Sequence, residues 1–278
     1  MRSDIAWVLR QLGPAAELVR ARRIHFNGHV SVHSIEVTSR GVRRKLILRR
    51  YLDRAWLARE PDLASREAKT LRLLEKATGL RTPKLVAVDA HGRDTSAPAV
   101  LMSHLGGKEE WKAPSIERFA AVAPLIHQVR APRNFRRYDR YYTGDALTPP
   151  AWSKQPKLWE RAFEVAEAAK VDEATACFIH RDHHGGNVLW SYGRVVGVID
   201  WVEASVGPPA VDFARARMNL VAWMGVTAAR RYAKCPDIEV DPVWDIVDAC
   251  DCGHDGLPGP NGRRGIEAFV ADALSELG

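Results

Sequence analysis

Along the first third of the chain the spacing of apolar side chains changes period more than once. Ile5, Val8, Leu9 and Leu12 recur at helical intervals, continued past Gly13-Pro14 by Leu18 and Val19, which predicts a helix over residues 4–20. From residue 24 onward Val30, Val32, Ile35 and Val37 nearly alternate with polar residues, and the TSRG turn leads into RKLILRRY. That pattern predicts antiparallel strands joined by tight turns. SREAKTLRLLEKATG returns to the helical period, with Gly79 as its stop. PKLVAVD and PAVLMSHL are short and apolar enough for buried strands.

Leu105-Gly106-Gly107 interrupts the pattern, and from about residue 114 helical periods dominate. Two stretches depart from them. Residues 131–157, with Pro132, Pro149, Pro150 and Pro156, form a long connection, and loops of that length inside a domain are often functional. Residues 178–201 run from an apolar approach, CFIH, through a polar loop into two short strands, NVLW and VVGVID. After GPP, VDFARARMNLVAWMG is helical again. The order predicts an α+β fold with two lobes, an antiparallel-sheet lobe over residues 1–105 and a mostly helical lobe over 106–278, with a cleft at the Gly-Gly break.

Composition narrows the class. With 278 residues, 46% of them apolar, the chain can bury a substantial core. No apolar run approaches the roughly 18 residues of a membrane span, and the start, MRSDIAWVLRQLGP, carries Asp4 and lacks a secretory-type apolar stretch. A cytoplasmic location is expected. Four cysteines are too few for a disulfide framework in a chain of this length. Cys235, Cys250, Cys252 and His254 invite a zinc reading, but their spacing does not suit the usual two-plus-two hairpin arrangement. The formal charge of +7 is scattered in small clusters, so neither a nucleic-acid nor a membrane partner is expected. Residues 235–255 differ: they hold seven acids and no Lys or Arg. Such a run is either a solvated face or a subsite for a cationic ligand.

The polar loop, HRDHHGGNVL over 180–189 followed by VIDW over 198–201, concentrates His180, Asp182, Asn187 and Asp200 between apolar strands. These residues match the pattern H-R-D-x-x-x-x-N with an Asp ending the next strand. In this they resemble the catalytic and metal loops of the protein-kinase-like fold, in the form found in the aminoglycoside phosphotransferase family of small-molecule kinases. Phosphoryl transfer needs a carboxylate beside the acceptor hydroxyl and metal ions on the transferring oxygens. The resemblance therefore implies that Asp182 orients the acceptor and takes its proton, and that Asn187 and Asp200 supply hard oxygens to Mg²⁺. His180 and Arg181 are implied as scaffold, Asp212 as the buried anchor of the loop backbone, and His183 and His184 as polar loop residues.

The same resemblance extends to the first lobe. Arg49 in LILRRY stands where the family places a nucleotide-gripping lysine, with Lys45 on the same strand face as its fallback and Glu67 as its helix partner. Gly28 to Ser31 either cover phosphates with backbone N–H groups or make a plain hairpin turn. Ser103 to Leu105 would offer backbone groups to the purine of ATP or GTP. Glu203 is expected to be a surface acid. The expected acceptor is a hydroxylated small molecule, first an aminoglycoside-like antibiotic or amino sugar whose ammonium groups the 235–255 acids would bind, with a macrolide-like or other small alcohol as the alternative if Trp201, Trp223 and Trp244 line an apolar pocket. A nucleotide-binding regulator without turnover is the competing class.

Overall fold

Gly13 decides where the first helix ends. Its φ of 92° lies in the left-handed region that favours glycine, and Pro14 lacks a backbone N–H, so α1 (Arg2–Leu12) stops there. Leu18 and Val19 therefore belong to strand β1 (Ala16–Phe26), which corrects the longer helix that periodicity suggested. The computed structural model describes residues 2–77, 79–253, 257 and 259–278, and the chain divides into two compact units. Met1–Gly106 and Gly197–Val202 make the first; Gly107–Val196 and Glu203–Gly278 make the second. The segment Gly197–Val202, which a boundary after residue 105 would have assigned to the second lobe, thus belongs to the first.

In the first unit β1, β2 (Val30–Ser39), β3 (Val42–Tyr51), β4 (Leu85–Asp89) and β5 (Ala99–Ser103) form an antiparallel sheet in the order β1-β2-β3-β5-β4. Alternation puts Ile35, Val37, Leu46 and Leu48 on one face, where they pack with Trp7 and Val8 of α1. Asp4 is fully buried on that side and is satisfied by Arg50 at 2.9 Å and by the backbone N–H of Ser96 at 2.8 Å. A short helix, α2 (Arg54–Arg59), begins at Asp53, whose carboxylate accepts the N–H groups of Ala55 and Trp56. The helix α3 (Leu63–Leu74) packs on the other face with Leu63, Ala64, Ala68, Leu71 and Leu74 buried, and ends before Gly79. Only β5 is buried as expected; β4, at the edge, is mostly half-exposed.

The second unit is built around α7 (Ala210–Met224), most of whose residues are buried. The helices α4 (Ile116–Ala120), α5 (Val122–His127), α6 (Pro156–Ala168), α8 (Val226–Tyr232), α9 (Pro242–Cys252) and α10 (Gly262–Leu277) share one apolar core with it. Short strands frame the polar loop: β7 (Cys177–Ile179) pairs with β10 (Ser205–Gly207), and β6 (Lys108–Glu109), β8 (Val188–Ser191) and β9 (Arg194–Val198) form a three-stranded sheet. Of the 131–157 connection, residues 131–155 are irregular apart from a single 3-10 turn and a bridge from Arg137 to Val206, and α6 begins at Pro156. No helix of the described residues is long and apolar enough to cross a membrane.

Candidate active site

The polar loop hangs from a buried carboxylate. Asp212, in the first turn of α7, accepts the backbone N–H groups of His180 at 2.9 Å and Arg181 at 2.7 Å, and its side chain meets His127 Nε2 at 3.0 Å. Burial pushes the Asp212 carboxyl up, but the bond to His127 and the nearby imidazoles prevail and hold it below its ordinary value. An ionised acid that accepts two loop N–H groups fixes the path of the backbone just before Asp182. Arg181 takes a left-handed φ of 69° there, a conformation costly for a residue with a Cβ. Its guanidinium is 2% exposed, lies 3.8 Å from the centre of the Tyr141 ring, and bonds Glu203 and the backbone carbonyl of Asp139.

Asp182 itself is partly open, with a third of its side chain accessible (33%). Asn187 reaches back five residues and donates from Nδ2 to both the backbone carbonyl of Asp182, at 2.8 Å, and Oδ2, at 3.1 Å. That leaves Oδ1 as the acceptor end of the amide. His184 accepts the Gly186 N–H on Nδ1 at 3.0 Å, which turns its Nε2 toward Asp182 Oδ2 at 3.4 Å. Arg215 Nε stands 3.7 Å from Oδ1. Burial alone would raise the Asp182 carboxyl, yet His184, Arg215 and His180 outweigh it and hold the group well below the usual carboxylate range. Gly185 and Gly186 are required by packing: a Cβ on Gly186 would lie 2.7 Å from the Trp111 ring, which also stacks on His184.

In the first unit Arg49 bonds two acids, Glu67 at 3.2 Å and Asp200 more closely. Tyr51 donates to the second oxygen of Glu67 at 2.8 Å. Glu67 is 1% exposed, and burial pushes its carboxyl up against the pull of Arg49. Asp200 follows β9 with a left-handed φ of 67°, and a third of its side chain (32%) is accessible. Trp201 is fully buried and donates to the Val198 carbonyl at 3.0 Å, so the strand end is pinned on both sides of Asp200.

Gly28 is at the tip of the β1–β2 turn with a φ of 88° and open space around it. Asn27 closes that turn by accepting the N–H groups of His29 and Val30. Ser31 is buried beside His33. At the end of β5, the N–H of Ser103 is committed to the Lys84 carbonyl at 2.8 Å and that of His104 to the Lys45 carbonyl at 3.3 Å; Leu105 packs beside Gly197.

Several residues carry more than the sequence suggested. Glu203 is not a surface acid: it is 7% exposed and bonds Arg136 at 2.9 Å. Asp245, Asp248 and Asp251 are buried on α9 and already partnered, by Arg217, by Arg215 at 3.1 Å and by the Tyr141 N–H at 3.2 Å. The one available signal was the pair of arginines inside the otherwise apolar VDFARARMNL. Burial raises Asp245 and Asp248 to about 7 each, against the pull of those arginines. Trp201 and Trp244 are core residues, whereas Trp223 is half-buried and stacks on Trp111. Among the described residues no three His, Cys, Asp or Glu side chains gather to hold a metal, and His254 lies outside them. Burial pushes up all four thiols, with Cys177 reaching about 12.

Residues 25–250 match the model of the phosphotransferase enzyme family. Among curated proteins no relative matches the sequence. Among solved structures, the apo form of a thermostable mutant of aminoglycoside phosphotransferase APH(4)-Ia is similar over 98% of both chains, with 13% identity and a TM-score of 0.63. A ternary complex of that enzyme with ADP and hygromycin B is similar over 97% of this chain and 95% of the other, with 15% identity and a TM-score of 0.61. A macrolide 2'-phosphotransferase type I covers 100% of this chain and 92% of its own, with 17% identity and a TM-score of 0.57. At these identities the likeness is one of fold: an antiparallel-sheet unit and a helical unit of the kinase-like kind.

Proposed function

From the premise that this chain belongs to the phosphotransferase enzyme family, we propose that it moves the γ-phosphoryl group of ATP or GTP to a hydroxyl of a small molecule, with Asp182 as the catalytic carboxylate. The observation that carries this reading is the state of Asp182: ionised, partly open, and held by Asn187 and His184 on a loop whose backbone is anchored to Asp212. Such a group accepts a hydrogen bond from an alcohol and orients its oxygen for attack. Its low basicity means that the proton moves to it late, as the bond to phosphorus forms, which suits a loose transition state.

Magnesium fits the donor chemistry. The amide Oδ1 of Asn187 and the carboxylate of Asp200 are hard oxygens, and Mg²⁺ is typically held by one or two such ligands together with the phosphates of its nucleotide. When bound, the ion would neutralise the β- and γ-phosphate oxygens. In the same reading Arg49 grips the α- and β-phosphates, and Glu67 with Tyr51 holds that guanidinium in place. An arginine here offers a planar fork instead of a point charge. Gly28 and Ser31 would border the phosphates. The backbone at Ser103 and Leu105 would meet the purine, with the Leu105 N–H the donor not already committed to the sheet.

For the acceptor, the expected amino sugar depended on the acids of 235–255. Three of them are spent on Arg217, Arg215 and a backbone N–H, which leaves Asp237 and Glu239 exposed and favours a macrolide-like or other small alcohol with few ammonium groups. The test is nucleotide-dependent phosphorylation of a panel of hydroxylated amines, macrolides and amino alcohols, run beside Asp182→Ala. We expect transfer to one class, lost at least about 1000-fold in the variant while nucleotide affinity stays within about twofold. Normal turnover by Asp182→Ala would remove the assignment.

A further inference from the structure

Trp111 follows β6 in EWKAP, a stretch with no regular structure, where neither a helical nor a strand period asks for a large aromatic side chain. The strand before it decides where it goes. β6 runs antiparallel to β8 with Glu109 opposite Leu189, so two residues further on the chain arrives over the turn that precedes Asn187. Glycines at 185 and 186 let it come close. A Cβ on Gly185 would lie 2.9 Å from the Glu110 carbonyl oxygen, and one on Gly186 would run into the Trp111 indole.

The half-buried indole stacks on His184, with ring centres 4.7 Å apart and planes 14° from parallel, and on Trp223 near the end of α7 at 5.4 Å and 26°. An imidazole turns about its second side-chain torsion with little resistance of its own. Lying along an indole, it loses that contact as it turns. Which way round it lies is settled by Gly186, whose N–H donates to Nδ1 at 3.0 Å, so a neutral ring carries its proton on Nε2. That Nε2 faces Asp182 Oδ2 at 3.4 Å, and Asn187 Nδ2 donates to the same oxygen at 3.1 Å. Two N–H groups thus converge on one carboxylate oxygen, and the indole that steadies the first of them comes from outside the loop.

We propose that Trp111 is a positioning residue for phosphoryl transfer: by its stack on His184 and its contact with Gly186 it fixes the imidazole that orients the Asp182 carboxylate. This rests on the phosphotransferase reading above and adds to it a residue outside the H-R-D-x-x-x-x-N pattern. A group that aims the carboxylate acts on the reacting geometry, so its removal falls on kcat and spares KM. Trp223 supports the indole and carries a smaller share.

Steady-state transfer by the full chain, from Mg·ATP or Mg·GTP to hydroxylated amines, macrolides and amino alcohols, tests this in the wild type, Trp111→Leu, Trp111→Phe and Trp223→Leu. Leu keeps an apolar side chain and removes the ring; Phe restores a ring. We expect Trp111→Leu to lower kcat about 30-fold with both KM values within about threefold, Trp111→Phe to stay within about threefold of the wild type, and Trp223→Leu to lose about threefold. Nitrogen-15 NMR of histidine-labelled protein, with His184 assigned from its loss in His184→Gln, needs no substrate. It should show the Nε2–H form in the wild type and Trp111→Phe, and mixed tautomers in Trp111→Leu. Wild-type kcat in a folded Trp111→Leu, or in Trp223→Leu should the first not fold, would overturn the proposal. An equal loss in Trp111→Phe, or an unaltered His184 tautomer in Trp111→Leu, would do the same. A wild type that transfers phosphate to none of these acceptors would instead sink the phosphotransferase reading and the catalytic half of the proposal with it, while the NMR comparison still decides whether Trp111 holds His184.

Discussion

In the first unit a single guanidinium, Arg49, bonds both Glu67 and Asp200; in the second, Arg215 stands between Asp182 and Asp248. Each arginine joins a deeply buried acid to a partly open one. Glu67 and Asp248 are 1% and 4% exposed at the side chain, whereas Asp200 and Asp182 are about a third open. In both networks burial raises the inner acid despite its cation. The outer acids differ in support. Asp182 has an imidazole, an amide and an arginine around it, whereas among the described residues Asp200 has Arg49 as its one ion-pair partner. An acid held from several sides keeps its orientation when one partner leaves; an acid held by one arginine is free to exchange it for a metal.

This contrast can be broken most directly at Asp200. Asp200→Ala should cost turnover at least about 1000-fold and weaken Mg·nucleotide binding about tenfold or more, while Asp182→Ala should spare binding. If calorimetry finds the same Mg·ATP affinity in Asp200→Ala as in the wild type, the two acids do not divide the work in this way. A smaller effect is expected at Arg215. Arg215→Leu leaves Asp248 buried without its cation and should lower unfolding stability by about 3 kcal/mol in a denaturant titration. Adding Asp248→Leu should recover at least half of that loss. No recovery would mean that Arg215 stabilises the fold through contacts other than this pair.

The smallest effect concerns His183, which the loop pattern leaves indistinguishable from its neighbour His184. The two imidazoles have opposite fates: His184 bonds Gly186 and faces Asp182, while His183 is fully buried against Phe119 with both ring nitrogens unpartnered. Burial lowers His183 from 6.5 to about 3. The unfolded chain therefore binds the extra proton between these values, and stability falls as pH drops below 6.5, by up to about 1.4 kcal/mol per pH unit. Asp245 and Asp248, raised to about 7, contribute with the opposite sign, since the folded state holds their protons and loses that advantage as pH rises toward 7. Comparing the wild type with His183→Leu isolates the histidine: the variant should be about 1 kcal/mol or more stabler at pH 7, and the gap should widen toward pH 5. A gap that stays constant with pH would refute the account of a neutral, unpaired imidazole.

Much of this molecule was legible in the chain. Alternation in Val30–Val37 and LILRRY marked the sheet, and the distance from His180 to Asn187 marked the loop. Local signals suffice where a residue's role follows from its neighbours along the backbone, as with Asn187 reaching five residues back to Asp182. They failed where a side chain answers to one far away. Leu18 and Val19 fit a helical period, but Gly13 ended the helix and the partner strand β2 claimed them. Glu203 looked like a surface acid because Arg136 and Arg181, 67 and 22 residues earlier, carry no mark of their destination.

The chain by itself determined its period changes, its phosphotransferase-type loop and the types of the groups that would do the chemistry, since these depend on spacing within a dozen residues. Tertiary structure alone decided which charges cancel. Asp245 and Asp248 of α9 became buried partners of α7 arginines instead of a cationic subsite, and among the described residues Arg20 and Arg22 of β1 were left without an ion-pair partner. The physical reason is that a charge's energy depends on burial and on distance to every other charge, and folding sets both.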